Sequence, residues 1–149
     1  MAASAGNNGA AAGKTIPEIL GLAFGAIYLL VGIVGFLVTG FDNFAGNSQH
    51  ESLLGIFMIN PLHNIVHILI GVAGLVLSRT LAGARSFGWL LAVGYAAAFI
   101  YGLIAIHETW DFLNINGADN VLHLLSAVVG LVIALLPVRS AVSHRGSHA

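Results

Sequence analysis

The sequence contains no cysteine, and only 7% of its residues are charged. The absence of cysteine excludes disulfides, thiol redox catalysis and thiolate metal sites. Soluble domains carry roughly a quarter charged residues, so the low charge excludes an ordinary soluble fold. The net charge is only −1, with five Lys and Arg against six Asp and Glu, which gives no reason to expect a nucleic-acid partner.

The chain contains long apolar runs, and hydrophobic residues make up 58% of it. A transmembrane helix needs about 20 predominantly apolar residues. Four stretches meet or approach this length, at 19–38, 53–77, 87–106 and 121–136. The runs are continuous and do not alternate between apolar and polar residues. The backbone is therefore expected to form its hydrogen bonds within helices. The sequence therefore predicts an all-α membrane protein, a four-transmembrane-helix bundle.

Start signals refine the second and fourth spans. Asn60 followed by Pro61 is typical of a helix cap with proline in the first turn, and Asn116 occupies a similar place before the fourth span. The predicted spans are therefore about 19–38, 60–78, 87–106 and 117–136. The apolar residues 53–59 are left as a short interfacial segment on the outer leaflet.

The basic residues predict the orientation of the chain in the membrane. All of the basic residues lie in the two tails or the second connecting loop, and they are Lys14, Arg79, Arg85, Arg139 and Arg145. The first and third loops carry only acidic charges. The positive-inside rule then predicts a multi-pass plasma-membrane protein with both termini cytoplasmic. The expected organisation is a disordered tail at 1–15, a transmembrane domain at 16–137 and a flexible cytoplasmic tail at 138–149.

An internal repeat relates the second and fourth spans. INPLHNIVH at 59–67 aligns without a gap on INGADNVLH at 115–123, and the register continues to GLV in both spans. The first and third spans align more weakly, with Gly21 over Gly94 and Tyr28 over Tyr101. We expect two parallel-repeated helical hairpins related by a pseudo-two-fold axis along the membrane normal.

Small residues recur on one face of each span. In lipid, small side chains let helix backbones approach closely, so these positions are predicted to pack helix against helix. The predicted packing residues are Gly21, Gly25, Gly32, Gly71, Gly74, Gly94 and Gly130. Tyr95 and Trp89, in the third span, are predicted to be interfacial anchors.

Polar residues share the inward faces near the outer ends of the second and fourth spans. Four asparagines are predicted to pack across the bundle: Asn60, Asn64, Asn116 and Asn120. A candidate ligand or metal pocket consists of His63, His67, His107, Glu108, Asp119 and His123. His67 and His123 lie roughly 10 Å into their helices at 1.5 Å per residue, and the repeat predicts that they face each other. Ionisable groups at such depth are costly, which makes them a functional hypothesis.

Three interpretations of these polar residues stay open. The side chains tie the hairpins together structurally, or they bind Zn²⁺, Cu²⁺ or a single haem b through His67 and His123, or they transfer protons or a small solute. No nucleophile or activated-water arrangement stands out, so no catalytic residue is predicted. The favoured function is a non-enzymatic accessory or binding protein without a cofactor. Its expected partners are the lipid bilayer and either a second copy or a larger membrane complex.

The repeated segments INPLHNIVHILIGVAGL and NGADNVLHLLSAVVGLVIALLP also carry a family resemblance. They resemble an uncharacterised family of small bacterial four-helix integral membrane proteins, catalogued only as a domain of unknown function. The resemblance runs from Ile16 to Pro137 and implies a bacterial plasma membrane and four spans, but no activity. Four-helix membrane cytochromes are the nearest functional analogy. They carry histidine pairs near both membrane faces, whereas the inner half of these spans has no histidine.

Overall fold

The computed structural model of the protein describes residues 13–47 and 51–138, so most of both predicted tails lies outside the described residues. The chain forms four helices, α1 (Ile16–Thr39), α2 (Pro61–Leu77), α3 (Leu81–Ala105) and α4 (Gly117–Leu135). Helices α1, α3 and α4 are long and apolar enough to cross a membrane, and α2 is a shorter apolar helix of 17 residues. The protein is therefore mostly helical, as predicted, with the composition of a membrane protein.

Asparagine caps begin both α2 and α4, as the sequence predicts. The side chain of Asn60 accepts a hydrogen bond from the backbone N–H of His63 at 2.8 Å. Asn116 does the same for Asp119 at 2.9 Å, and the Asp119 carboxylate accepts from the Asn116 N–H at 3.0 Å. These bonds satisfy backbone donors that the first turn of a helix leaves free, which fixes where each helix starts.

Two segments differ from the sequence-based expectation. Helix α3 begins at Leu81, six residues before the predicted span, because the Thr80 hydroxyl accepts from the Gly83 N–H and caps the helix there. The predicted interfacial segment folds into a small antiparallel hairpin of β1 (Ser52–Leu53) and β2 (Phe57–Met58). Gly55 in its turn has φ +71°, a conformation that glycine adopts without strain.

The helices pack as two hairpins, α1 against α2 and α3 against α4, with smaller contacts between the hairpins. The loops at the end where α2 and α4 begin, called here the capped end, join the two hairpins. The Asn60 amide donates to the Phe112 carbonyl at 2.8 Å, and the Asn114 amide donates to the Ile59 carbonyl at 3.0 Å. Asn116 also donates to the Ile56 carbonyl at 2.7 Å. The capped end thus holds the bundle together directly above its buried polar residues.

Candidate functional site

Five aromatic and imidazole rings form a closed cycle in the centre of the bundle, called here the ring cluster. Its members are Tyr28 of α1, His63 and His67 of α2, Tyr95 of α3 and His123 of α4. The centroid distances around the cycle are 4.6 Å for His63–His67, 5.7 Å for His67–Tyr28, 5.3 Å for Tyr28–Tyr95, 5.4 Å for Tyr95–His123 and 6.0 Å for His123–His63. All five side chains are buried. Every helix therefore contributes to one site.

The sequence identified the histidines of this cluster but not its tyrosines. Tyr95, predicted to be an interfacial anchor, is only 4% exposed and stacks on Tyr28 with the ring planes 23° apart. It lies in the middle of α3, well inside the helix that begins at Leu81, and packs in the core of the bundle. The signal that the sequence analysis missed is that Tyr28 and Tyr95 both lie in the middle part of their helices, α1 and α3.

A cavity of about 240 Å³ adjoins the ring cluster between α2 and α3. His63, His67, His123 and Tyr95 line one side of it, and the remaining lining residues are apolar or small: Val66, Ile70, Leu90, Gly94, Ala98 and Leu113. Among the described residues that line it, none is Asp, Glu, Lys or Arg. The cavity is thus a largely apolar space that borders three imidazole rings and one phenol ring.

Some polar atoms of these four lining residues are buried away from the surface of the cavity. The Nδ1 atoms of His63, His67 and His123 are buried and have no hydrogen-bond partner among the described residues. The hydroxyl of Tyr95 is also buried and interacts only with the Tyr28 side chain. A buried polar group without a partner costs about 1–3 kcal/mol. The three imidazole nitrogens are therefore an unfavourable feature of the packing around the ring cluster.

The two tyrosines of the cluster differ in their hydrogen bonding. The Tyr28 hydroxyl donates to Ser126 Oγ on α4 at 2.6 Å, inside the bundle. In the alignment of α2 with α4, the position of Ser126 corresponds to Ile70, which lines the cavity and has no hydroxyl. Tyr95 consequently finds no equivalent partner on α2. Its hydroxyl is left with the Tyr28 side chain as its neighbour, a consequence of this one difference between the hairpins.

Close helix contacts occur at corresponding places in both hairpins. A Cβ on Gly25 would lie 2.8 Å from the Leu75 backbone nitrogen, and a Cβ on Gly130 would collide with the backbone of Ala92. A Cβ on Gly35 would likewise collide with the Asn64 amide, as would one on Gly102 with the Asn120 amide. Of the seven predicted packing glycines, six have this kind of close contact: Gly21, Gly25, Gly32, Gly71, Gly74 and Gly130.

The structure pairs α1 with α3 in a different register from the weak sequence alignment. Tyr28 contacts His67 as Tyr95 contacts His123, so the counterpart of Tyr28 is Tyr95 and not Tyr101. Tyr101 lies near the end of α3 and donates from its hydroxyl to Asp111 at 3.0 Å. Gly94, placed over Gly21 in that alignment, faces the cavity instead of another helix, and a Cβ added to it would meet no heavy atom within 4 Å.

Three members of the predicted pocket lie away from the ring cluster. The Asp119 carboxylate is held at the capped end, where it accepts from the Met58 N–H at 3.0 Å as well as from the cap of α4. His107 and Glu108 are exposed in the loop after α3. Within residues 13–47 and 51–138, no group of three or more His, Cys, Asp or Glu side chains is arranged to hold a metal ion.

Asp111 is a buried carboxylate that the sequence analysis did not single out. It is 1% exposed and accepts from the Ile115 N–H at 2.7 Å, the Leu113 N–H at 3.2 Å and the Tyr101 hydroxyl. It therefore shapes the loop that carries Leu113 over the cavity. The only sequence signal was its place in a short polar loop between two apolar spans.

A family model matches residues 18–136, and its description is "Domain of unknown function (DUF4383)". The chain belongs to this family. Membership confirms the resemblance inferred from the repeated segments, and the matched region contains the whole ring cluster. No curated protein and no solved structure matches the chain. The functional argument therefore rests on the site itself.

Proposed function

We propose that all four helices cross the plasma membrane, with both termini on the cytoplasmic side. Helix α2 has 17 residues, which is the short end of the roughly 17–25 that span a bilayer. The distribution of basic residues supports the orientation. The matching contacts of Tyr28 with His67 and Tyr95 with His123 support a bundle of two repeated hairpins.

The absence of native cysteine makes this topology testable with single labels. Ala45 and Ala82 are exposed alanines that flank α2, so Ala45→Cys and Ala82→Cys form a matched pair. In intact spheroplasts a membrane-impermeant maleimide is expected to label the cysteine at position 45, and to label that at position 82 only after permeabilisation. Equal labelling of both would refute the crossing of α2, and the reverse pattern would refute the orientation.

Within this topology, the protein serves as a non-enzymatic binding or accessory protein that holds a small neutral molecule in the cavity beside the ring cluster. The observation that carries this proposal is the largely apolar cavity of about 240 Å³ that His63, His67, His123 and Tyr95 of the ring cluster border. Ligand sites combine mostly apolar walls with a few convergent polar groups, which matches this lining.

The proposal is tested by mass spectrometry of the organic extract from protein purified in mild detergent. We expect one compound to be enriched over the bulk lipid in the wild-type extract and depleted in His123→Leu, which removes both ring nitrogens. His107→Leu is the matched control, because His107 is exposed and lies outside the cavity. Identical extracts from the wild type and His123→Leu would refute binding at this site.

The alternatives fit the geometry less well. A haem held between His67 and His123 would need a flat open slot, but the His63 ring lies within 4.6 Å and 6.0 Å of their centroids. Proton transfer across the membrane would need further titratable groups, yet the residues that follow Ser126 in α4 and His67 in α2 are apolar or small. An absorption spectrum and elemental analysis separate these cases: stoichiometric haem, zinc or copper would contradict the proposed function. A second copy or a larger membrane complex stays a prediction of the sequence.

A further inference from the structure

A second depression, called here the α3–α4 groove, runs along the outer side of the second hairpin. It has a volume of about 510 Å³. The residues that line it lie at 89–100 of α3 and 124–131 of α4, and all of them are apolar or aromatic. Val93 lines this groove and lies outside the cavity beside the ring cluster, whereas its neighbour Gly94 lines that cavity. The α3–α4 groove is therefore a separate place on the molecule.

The groove is deep because small residues lie where the first hairpin is filled. Pairing Tyr28 with Tyr95 places Ala96 in correspondence with Leu29, and the alignment of α2 with α4 places Ala127 in correspondence with Gly71. In the first hairpin Leu29 lies directly against Gly71, where an added Cβ would collide with it. In the second hairpin both positions carry a single methyl group, and both line the groove. Ala96 thus leaves open a space that a leucine would occupy.

An arginine lies at one end of this groove. Arg85 is exposed and precedes Trp89 by four residues, so the two side chains share one face of α3. An added Cβ on Gly88 would collide with the backbone of Ala134, which shows that this part of α3 packs beside the end of α4. The Arg85 guanidinium therefore belongs to the end of the hairpin that is opposite the capped end.

The charge of Arg85 has no counter-charge within residues 13–47 and 51–138, where the ion pair joins Lys14 to Glu18 instead. Glu18 is the residue of α1 that corresponds to Arg85 when Tyr28 is paired with Tyr95. Its carboxylate accepts from the Thr15 N–H at 2.8 Å and lies 3.9 Å from Lys14 Nζ. The first hairpin thus has a paired carboxylate at the place where the second has an unpaired guanidinium.

In the proposed topology, the dimensions of α3 match one leaflet of the bilayer. At 1.5 Å per residue, α3 extends roughly 30 Å from Arg85 to its end at Ala105, about the thickness of the hydrocarbon core. The groove covers roughly 16 Å between Trp89 and Ile100, about half of that thickness. Arg85 therefore lies at the level of the cytoplasmic head groups, and the groove lies at the level of their acyl chains.

The charge and the groove together indicate one class of occupant. Guanidinium groups bind phosphate oxygens strongly, often through two hydrogen bonds. No carboxylate lines the groove or pairs with Arg85 among the described residues, so a head group that also carries an ammonium would find no partner for it. A second copy is a poorer occupant, because a two-fold axis along the membrane normal would bring two Arg85 side chains to the same level and they would repel each other.

We propose that the α3–α4 groove binds an anionic phospholipid of the cytoplasmic leaflet. Its phosphate lies on the Arg85 guanidinium, and one acyl chain lies along Ala96 and Ala127. One ligand then satisfies the unpaired charge and fills the open space beside it. The inference uses the proposed topology but not the cavity beside the ring cluster, so it goes beyond the proposed binding function.

Trp89 makes the occupancy of the groove measurable. The chain has two tryptophans, so Trp110→Phe leaves Trp89 as the single one. Phospholipids with brominated acyl chains quench tryptophan fluorescence on contact, and they are titrated into this variant in mild detergent. We expect brominated phosphatidylglycerol to reach half-maximal quenching at about fivefold lower mole fraction than brominated phosphatidylcholine with the same chains, which is the contribution of one basic residue at a charged membrane surface. Equal quenching by the two lipids would overturn the inference.

A pair of charge variants in the Trp110→Phe background tests the head-group contact. Arg85→Gln should abolish the difference between the two lipids. Arg79→Gln is the matched control, because it removes the same charge from an exposed residue at the same end of the bundle, outside the groove. It should retain most of the difference. Equal effects of the two variants would mean that the lipid responds to the general positive charge of this end, and the site would be wrong.

A pair of bulk variants tests the acyl-chain contact. Ala96→Leu places in α3 the residue that α1 carries at Leu29, and it should raise the mole fraction of both lipids that is needed for half-maximal quenching at least about fivefold. Ala23→Leu adds the same bulk to an exposed position of α1 and should change neither value. Unchanged quenching in a folded Ala96→Leu variant would contradict binding in the groove.

The remaining outcomes separate the occupants and the two proposals. A detergent-solubilised dimer that Ala96→Leu converts to a monomer would show that the groove is a contact between copies, and the inference would fail. If Ala96→Leu does not fold, the comparison of the two lipids on Trp89 still decides. A clear lipid preference together with identical extracts from the wild type and His123→Leu would support this inference and refute the function proposed for the cavity. The reverse pair of results would refute only this inference.

Discussion

Replacing Gly25 by alanine is expected to weaken the first hairpin measurably. A Cβ at this position would lie 2.8 Å from the Leu75 nitrogen and 2.9 Å from the Gly74 carbonyl carbon. Both neighbours are backbone atoms of a packed helix, so they cannot move aside as the end of a flexible side chain would. Overpacking of this kind costs about 1–3 kcal/mol. We therefore expect the free energy of unfolding to fall by about that amount.

Gly94→Ala is the matched control for this prediction. An added Cβ there has no heavy atom within 4 Å, and α3 is regular through this position. In a helix, alanine is favoured over glycine by roughly 0.5–1 kcal/mol, so the control should be unchanged or slightly stabilised. Both variants are compared by unfolding in a graded series of denaturing detergent. Equal stability of the two variants would refute the close contact of α1 with α2.

Two further predictions concern buried polar groups. Tyr28→Phe should destabilise the protein by about 0.6 kcal/mol, the mean for a hydrogen bond inside a membrane bundle, because it loses the bond to Ser126. Tyr95→Phe should cost less, because the Tyr95 hydroxyl interacts only with the Tyr28 side chain. Equal losses of stability for the two variants in the same detergent titration would contradict the assignment. Asn64→Leu should also lower stability, because the Asn64 amide donates to Thr39 Oγ1 at 3.0 Å in a fully buried place; a melting temperature equal to that of the wild type would count against this packing role.

Local signals in the sequence were sufficient to predict the four helices and the caps of α2 and α4, but not the Thr80 cap of α3. Asn60 followed by Pro61 defines the start of α2 because capping depends only on residues within one turn. The gap-free alignment of α2 with α4 also matched the two histidines that each contact a tyrosine. These features depend on neighbours in the sequence or on a strong repeat, so they needed no knowledge of the packing.

The arrangement of the site depends on contacts between distant residues, which the sequence does not display. Tyr28 was aligned with Tyr101 because α1 and α3 are rich in interchangeable small and apolar residues, which match in several registers. Asp119 was predicted to line the pocket with His63, its counterpart in the repeat. Its position as the third residue of α4 directs its carboxylate to the helix start and the Met58 N–H instead. The cavity between α2 and α3 lies beside Gly94. The space around Gly94 depends on how distant helices pack, which the sequence does not display.

The most direct test of the binding function is native mass spectrometry of the protein released from its own membrane. The proposal predicts that the wild-type chain carries one small neutral molecule per polypeptide. Gly94→Ile, with the cavity filled, should carry none. Val93→Phe should carry the molecule as the wild type does. A wild-type mass equal to that of the bare polypeptide, or the same bound mass on Gly94→Ile, would contradict the account.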